Sequence, residues 1–167
     1  IYQLDAYVFR NELDEWVAKG YDYIGAPWII KRGLSYYLFG GWMQALHRKL
    51  HPIGEGENMV HAHLAFSVGN GGLSLRRVSK MREMAEQFAD EISRLRFGEE
   101  RRAAEDVFFS LVAGRRCGLK KPGWREALAF AWESKPDYCM HTIGKLPFGS
   151  HAWSLPRYKS FWKQYIK

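Results

Sequence analysis

The chain has 167 residues, with 25 Lys and Arg against 18 Asp and Glu, a net charge of +7 and a mean hydropathy of −0.38. That is one domain's length, enough to bury a core, and its composition excludes disordered and fibrous classes. No apolar run reaches the roughly 20 residues of a bilayer span, and the start at Ile1 carries no basic leader. Two cysteines, Cys117 and Cys139, give no disulfide framework, which predicts a reducing, cytoplasmic setting. The positive balance attracts polyanions, nucleotide phosphates or an anionic membrane surface, so peripheral association with the inner membrane is one expectation. Aromatics at 16% suit sugar faces equally well.

In chain order, residues 1–4 read as the end of a buried strand stopping at Asp5. Asn11 offers an N-cap for a helix through Leu13, Trp16 and Val17, closed by Gly20. A strand is predicted over 21–24 and a turn over 25–28. Residues 30–56 show no clear period beyond a helix near 42–50. A strand over 63–68 is broken by Gly69-Asn70-Gly71-Gly72 before a second at 73–75. Val78, Met81, Met84, Ala85, Phe88, Ile92 and Leu95 form one apolar helical stripe, closed by Gly98. A helix from about Glu105 carries Val107, Phe108 and Leu111. Another takes Pro122 in its first turn and runs through Ala127 and Phe130. The stretch to Pro156 reads as loop, and 158–166 as a basic, aromatic last helix. Nothing divides the chain, so a single domain over 1–167 with alternating strands and helices is expected: an α/β fold.

Four polar clusters interrupt these apolar segments. Gln3-Leu4-Asp5 ends a strand with a carboxylate, a ligand type suited to a hard divalent cation, though turn capping also explains one Asp. The glycines around Asn70 suggest positive φ and close approach of backbone to a ligand, or a tight hairpin; the spacing of a phosphate-cradling loop is lacking. Glu105-Asp106 either favours a helix N-terminus or supplies a general base. His151, in a loop with Trp153 two residues on, is either a surface residue or a metal or sugar contact. His61 and His63 share a strand face at a spacing zinc accepts, but no partner motif accompanies them. The basic stretch 94–102 lacks interleaved aromatics, which argues against a nucleic-acid platform.

Taken in order, Gln3-x-Asp5, Tyr21-Asp22-Tyr23-Ile24-Gly25-Ala26-Pro27-Trp28, Gly69-Asn70-Gly71-Gly72-Leu73-Ser74-Leu75-Arg76, Glu105-Asp106-Val107-Phe108, Ala127-x-x-Phe130-x-x-Glu133 and Pro147-x-Gly149-x-His151-x-Trp153 resemble a family of glycosyltransferase-like domains. That family is catalogued as a domain of unknown function and is frequent in bacterial polysaccharide loci. It is similar to the GT-A class of nucleotide-sugar-dependent enzymes. The resemblance implies a Rossmann-like mixed sheet flanked by helices, here lacking its N-terminal nucleotide-binding half.

By the same resemblance, Gln3, Asp5, Asn70, Gly71 and Gly72 contact the donor, and Asp5 with His151 holds Mn²⁺ or Mg²⁺. Only Asp5 of the Gln3-x-Asp5 pair is anionic. Asp106, with Glu105 beside it, supplies the base, and Trp28, Glu133 and Trp153 meet the sugars. The implied activity is transfer of a sugar from a nucleotide-sugar donor, a UDP-sugar first among candidates, to a hydroxyl of a glycan acceptor. No nucleic-acid partner is expected. The rival reading is a non-catalytic carbohydrate-binding or structural module.

Overall fold

The computed structural model describes residues 1–29, 46, 63–95 and 104–166. The expected irregular stretch and helix within 30–56, His61 and Gly98 lie outside the described residues, apart from Leu46. The elements are β1 (Tyr7–Val8), α1 (Leu13–Ala18), β2 (Tyr23–Gly25), β3 (Ser74–Arg76), α2 (Val78–Gln87) and α3 (Ala89–Arg94). Next, α4 (Glu105–Val107) runs through a π-helical turn (Phe108–Val112) into α5 (Ala113–Arg116). There follow α6 (Trp124–Phe130), β4 (Ala131–Trp132), α7 (Pro136–Ile143), β5 (Gly149–Ser150) and α8 (Pro156–Trp162). The architecture is mixed α/β, with helices around two small sheets.

One sheet has the order β1-β5-β4, with β5 antiparallel to β1 and parallel to β4. Parallel neighbours need a crossover connection, and α7 lies in the one that joins β4 to β5. The second sheet pairs β2 with β3 antiparallel, Gly25 opposite Ser74. Tyr2 bridges Leu73, so the chain passes along the start of β3 before entering β1 and links the two sheets.

Several expectations change. The first strand follows Asp5 instead of ending at it, and Leu4 is exposed. α1 has Glu12, not Asn11, at its N-cap. Residues 26–28 do not turn: Pro27 pairs with Val68, and Trp28 exchanges backbone hydrogen bonds with Phe66 and Ser67. Residues 63–68 are not a strand. Their start is helical, Phe66 sits at φ 55°, and the Ser67 hydroxyl donates to the His63 carbonyl at 2.6 Å. Between the Pro27–Val68 and Gly25–Ser74 pairs there is far more chain on the β3 side, so the glycine loop 69–72 bulges out of the ladder and is no hairpin.

The long apolar stripe is interrupted at Phe88 (φ −108°), where α2 passes into α3; Val78, in the first turn, is exposed. Gly123 caps α6, leaving Pro122 outside it. The expected loop before Pro156 contains β4, α7 and β5.

Two cores hold the site-bearing sheet. Trp16, Ile24, Leu73, Phe130 and Phe148 pack on one side of it, with Trp16 edge-on to Phe130 at 5.3 Å. Phe66, Leu128, Trp132 and Trp162 form the other core. Each such aromatic stabilises the fold by about 1.5–3 kcal/mol through burial. Trp132 also donates its indole N–H to the Leu128 carbonyl at 2.6 Å, so its polar atom is not stranded.

Candidate functional site

Strand direction brings the first polar residues together. β4 and β5 run parallel and β1 opposes β5, so β4 and β5 end where β1 begins. Asp5 lies just ahead of β1, His151 just after β5 and Glu133 just after β4, which gives all three one edge. Asp5 Oδ1 lies 3.2 Å from His151 Nε2. The His151 backbone N–H donates to the Trp132 carbonyl at 2.8 Å, which continues the β4–β5 pairing to this point.

The glycine loop closes over the same edge. The Gln3 N–H donates to the Gly72 carbonyl at 3.0 Å, so Gln3 reaches the loop by backbone while its side chain is exposed. A Cβ at Gly72 would fall within the His151 ring, and one at Gly71 would crowd Arg76 and Asp106. These positions are therefore glycine because the protein's own side chains approach the backbone closely; neither adopts positive φ. Asn70 is buried, and its Oδ1 accepts the Gly72 N–H at 3.1 Å, fixing the turn.

From Gly71 the contacts pass to the acidic pair. The Gly71 N–H donates to Asp106 Oδ2 at 3.2 Å, and the Val107 N–H donates to Asp106 Oδ1 at 2.8 Å. Burial pushes the Asp106 carboxyl above its ordinary range; the two amide bonds oppose that rise, Glu105 adds to it and Arg76 opposes it. Glu105 is differently placed. Both its oxygens take hydrogen bonds from the Arg76 guanidinium in a two-pronged pair. Arg76 is itself fixed: its Nε–H donates to Ser74 Oγ at 3.0 Å, the Ser74 hydroxyl donates to the Gly71 carbonyl at 3.1 Å, and the guanidinium lies 4.5 Å from the Tyr23 ring centre. The Tyr23 phenol donates to the Gly69 carbonyl at 2.7 Å, and burial pushes its pKa well up.

Asp5, His151, Gly72, Gly71, Asp106 and Glu105 thus form one unbroken run of contacts. The aromatic expectations fare differently. Trp28, 7% exposed, is a core residue among Leu64, Val107 and Leu111 and offers no open stacking face. Trp153 is half-buried with its ring edge-on to Tyr7 at 6.5 Å. Glu133 is half-buried at the shared edge, just after β4. Arg76 and Tyr23 were missed as functional candidates. The available signal was the alternation of β3, which turns Ser74 and Arg76 to one face immediately after the glycines.

The end of β5 is also under-satisfied. Ser150 Oγ, His151 Nδ1 and Trp153 Nε1 are buried without hydrogen-bond partners. Each such group costs about 1–3 kcal/mol, and a concentration of them in one short stretch marks a place shaped by something other than stability.

Among the described residues no group of three His, Cys, Asp or Glu side chains could hold a metal. Two ligands nevertheless suit Mg²⁺ or Mn²⁺ when substrate oxygens and water complete the shell. Adjacent ligands at about 2.1 Å from an octahedral ion stand about 3 Å apart, which matches the 3.2 Å between Asp5 Oδ1 and His151 Nε2. The pair offers ligand types such an ion accepts, and the same separation is that of a direct carboxylate–imidazole contact. His63, by contrast, is fully buried with its Nδ1 3.0 Å from Arg115 Nη1, and His61 lies outside the described residues, so the expected zinc spacing gains no second ligand among the described residues.

Fold and site together define a mixed α/β protein whose carboxylates and imidazole gather around a glycine loop at a strand edge. The chain belongs to the family described as a protein of unknown function, DUF5672, whose model matches residues 1–151. α8 lies beyond that match. No curated protein and no solved structure matches the chain. Among the described residues no helix is long and apolar enough to cross a membrane.

Proposed function

We propose that the chain is a GT-A-type glycosyltransferase that moves a sugar from a nucleotide-sugar donor to a hydroxyl of a glycan acceptor. The observation that carries this reading is the unbroken run of contacts from Asp5 through His151 and the glycine loop to Asp106. Such a reaction needs an anion-neutralising centre and a base within one site, and this run supplies candidates for both. The β4–α7–β5 crossover with an antiparallel neighbour agrees with a Rossmann-like mixed sheet, in which ligands gather beyond the C-terminal strand ends.

Asp5 and His151 would hold Mn²⁺ or Mg²⁺, which when bound neutralises charge on the diphosphate leaving group. Asp106 takes the proton of the acceptor hydroxyl. Its burial strengthens it as a base, because a carboxylate of raised pKa draws a proton more strongly. Glu105, engaged by Arg76, is the weaker candidate for that role. The net charge of +7 suits an anionic UDP-sugar and approach to an anionic membrane surface.

The test is a screen of UDP- and GDP-sugars with Mn²⁺ or Mg²⁺, wild type against Asp106→Asn. Transfer should fall roughly 10²–10⁴-fold in the variant, the range a positioned base contributes, with its circular dichroism unchanged. Near-normal turnover in Asp106→Asn removes the base assignment. Sugar binding that persists in EDTA and without nucleotide, with no transfer from any donor, would replace the enzyme by a carbohydrate-binding module.

A further inference from the structure

Glu105 and Asp106 are neighbours in sequence and would repel one another if equally free. Two carboxylates so close serve different ends only when their surroundings separate them. Here the separating element is on β3. The Arg76 side chain is 9% exposed, whereas that of its partner Glu105 is 50% exposed, so the outer carboxylate is drawn onto a guanidinium that cannot move to meet it. Two contacts independent of Glu105 hold that guanidinium, Ser74 on Nε and the Tyr23 ring on its face, and it meets Glu105 across both terminal nitrogens. Gly71 packs between Arg76 and Asp106, so the same loop backbone that donates to Asp106 is bounded by the clamp on its other side.

We infer that Arg76 is the positioning residue of the site: by gripping Glu105 two-pronged and bounding Gly71, it leaves Asp106 as the carboxylate of the pair available to the substrate. A lysine, with one point charge in place of a planar fork, would not hold Glu105 in this way. The role assigned to Asp106 rests on the transferase reading, but the separation of the two carboxylates does not.

Among the described residues, the charged and titratable groups facing Asp106 are Glu105 on its own helix, Arg76 on β3 and Tyr23 on β2, with the Gly71 and Val107 amides as fixed donors. The Ile1 amino group in turn feels the charges of Arg76 and Glu105. The signs follow. Removing Arg76 deletes a positive neighbour and frees Glu105, so protonation of Asp106 moves to higher pH. Removing the charge of Glu105 leaves Arg76 uncompensated, so it moves to lower pH. Removing both deletes a neutral pair and largely cancels the two shifts.

The experiment is a ¹³C NMR titration of the side-chain carboxyls in wild type, Arg76→Gln, Glu105→Gln and the double variant, with Asp106→Asn assigning the resonance. Opposite shifts in the single variants and near-restoration in the double variant are expected. The acid limb of the transfer rate should move in the same directions, and Arg76→Lys should only partly restore wild-type behaviour. An Asp106 midpoint unmoved in Glu105→Gln, or moved the same way in both single variants, overturns the inference. Glu105 is exposed enough for its variant to fold even if Arg76→Gln does not. Opposite shifts without transfer from any donor would leave Arg76 in place and remove the transferase reading instead.

Discussion

A single hydrogen decides the position of His151. Gly72 lies so close under the imidazole that any Cβ would occupy the ring's own volume, and its backbone needs no positive φ. Gly72→Ala is therefore a steric test with little backbone contribution. Overpacking of this kind costs about 1–3 kcal/mol, and urea denaturation should register a loss of that order. In a His151→Ala background the obstructing ring is gone, so the same substitution should be nearly silent. A double-mutant cycle should then show coupling of at least about 1 kcal/mol. Equal losses in both backgrounds would mean that the glycine serves some other neighbour. The sequence made the glycines conspicuous but misattributed their reason. Close approach was legible from Gly71-Gly72; that the approaching groups would be His151, Asp106 and Arg76 was not, because those contacts join segments far apart along the chain.

At the level of elements, legibility followed the clarity of the apolar pattern. α2, with ten residues, carries enough turns to show a 3.6-residue period. α1 and the helix beginning at Glu105 are marked by a few apolar positions and their flanking residues, and all three occur where the sequence puts them. β4 and β5 have two residues each, too few to display an alternation, and α7 between them passed for loop although its punctuation is plain. Pro136 opens α7 and Gly144 closes it at φ 74°. That punctuation can be measured. A Cβ at Gly144 or at Gly123 would meet nothing within 4 Å, but Gly123, capping α6, sits at φ −66°. Gly144→Ala should therefore lose about 1–2 kcal/mol, the strain of a left-handed residue with a Cβ. Gly123→Ala should be neutral or gain up to about 1 kcal/mol by restricting the unfolded chain. No loss for Gly144→Ala in thermal or urea unfolding would show that α7 does not depend on its cap.

Across the whole molecule, the order of motifs anticipated that Asp5, Asn70, Asp106 and His151 would meet, whereas the fate of the aromatics was hidden. A tryptophan after Gly-Ala-Pro looks the same whether it faces a sugar or a core, and only the packing of Leu64, Val107 and Leu111 around Trp28 decides it. The meeting itself has a thermodynamic consequence. Asp5 precedes the first strand and His151 follows the last, so an ion shared by them ties together opposite ends of the chain, an arrangement the unfolded state lacks. A ligand bound only by the native state stabilises it by RT ln(1 + [L]/Kd), about 2.7 kcal/mol at a hundredfold excess over Kd. Mn²⁺, with inorganic pyrophosphate supplying oxygens the two side chains cannot, should raise the melting temperature of the wild-type chain, and EDTA should reverse the rise. Asp5→Asn and His151→Ala should each abolish the increment, since one remaining ligand cannot compete with water for the ion. An equal rise in both variants would put the ion elsewhere, and no rise in the wild type would leave Asp5 and His151 as a carboxylate–imidazole contact between the start of β1 and the end of β5.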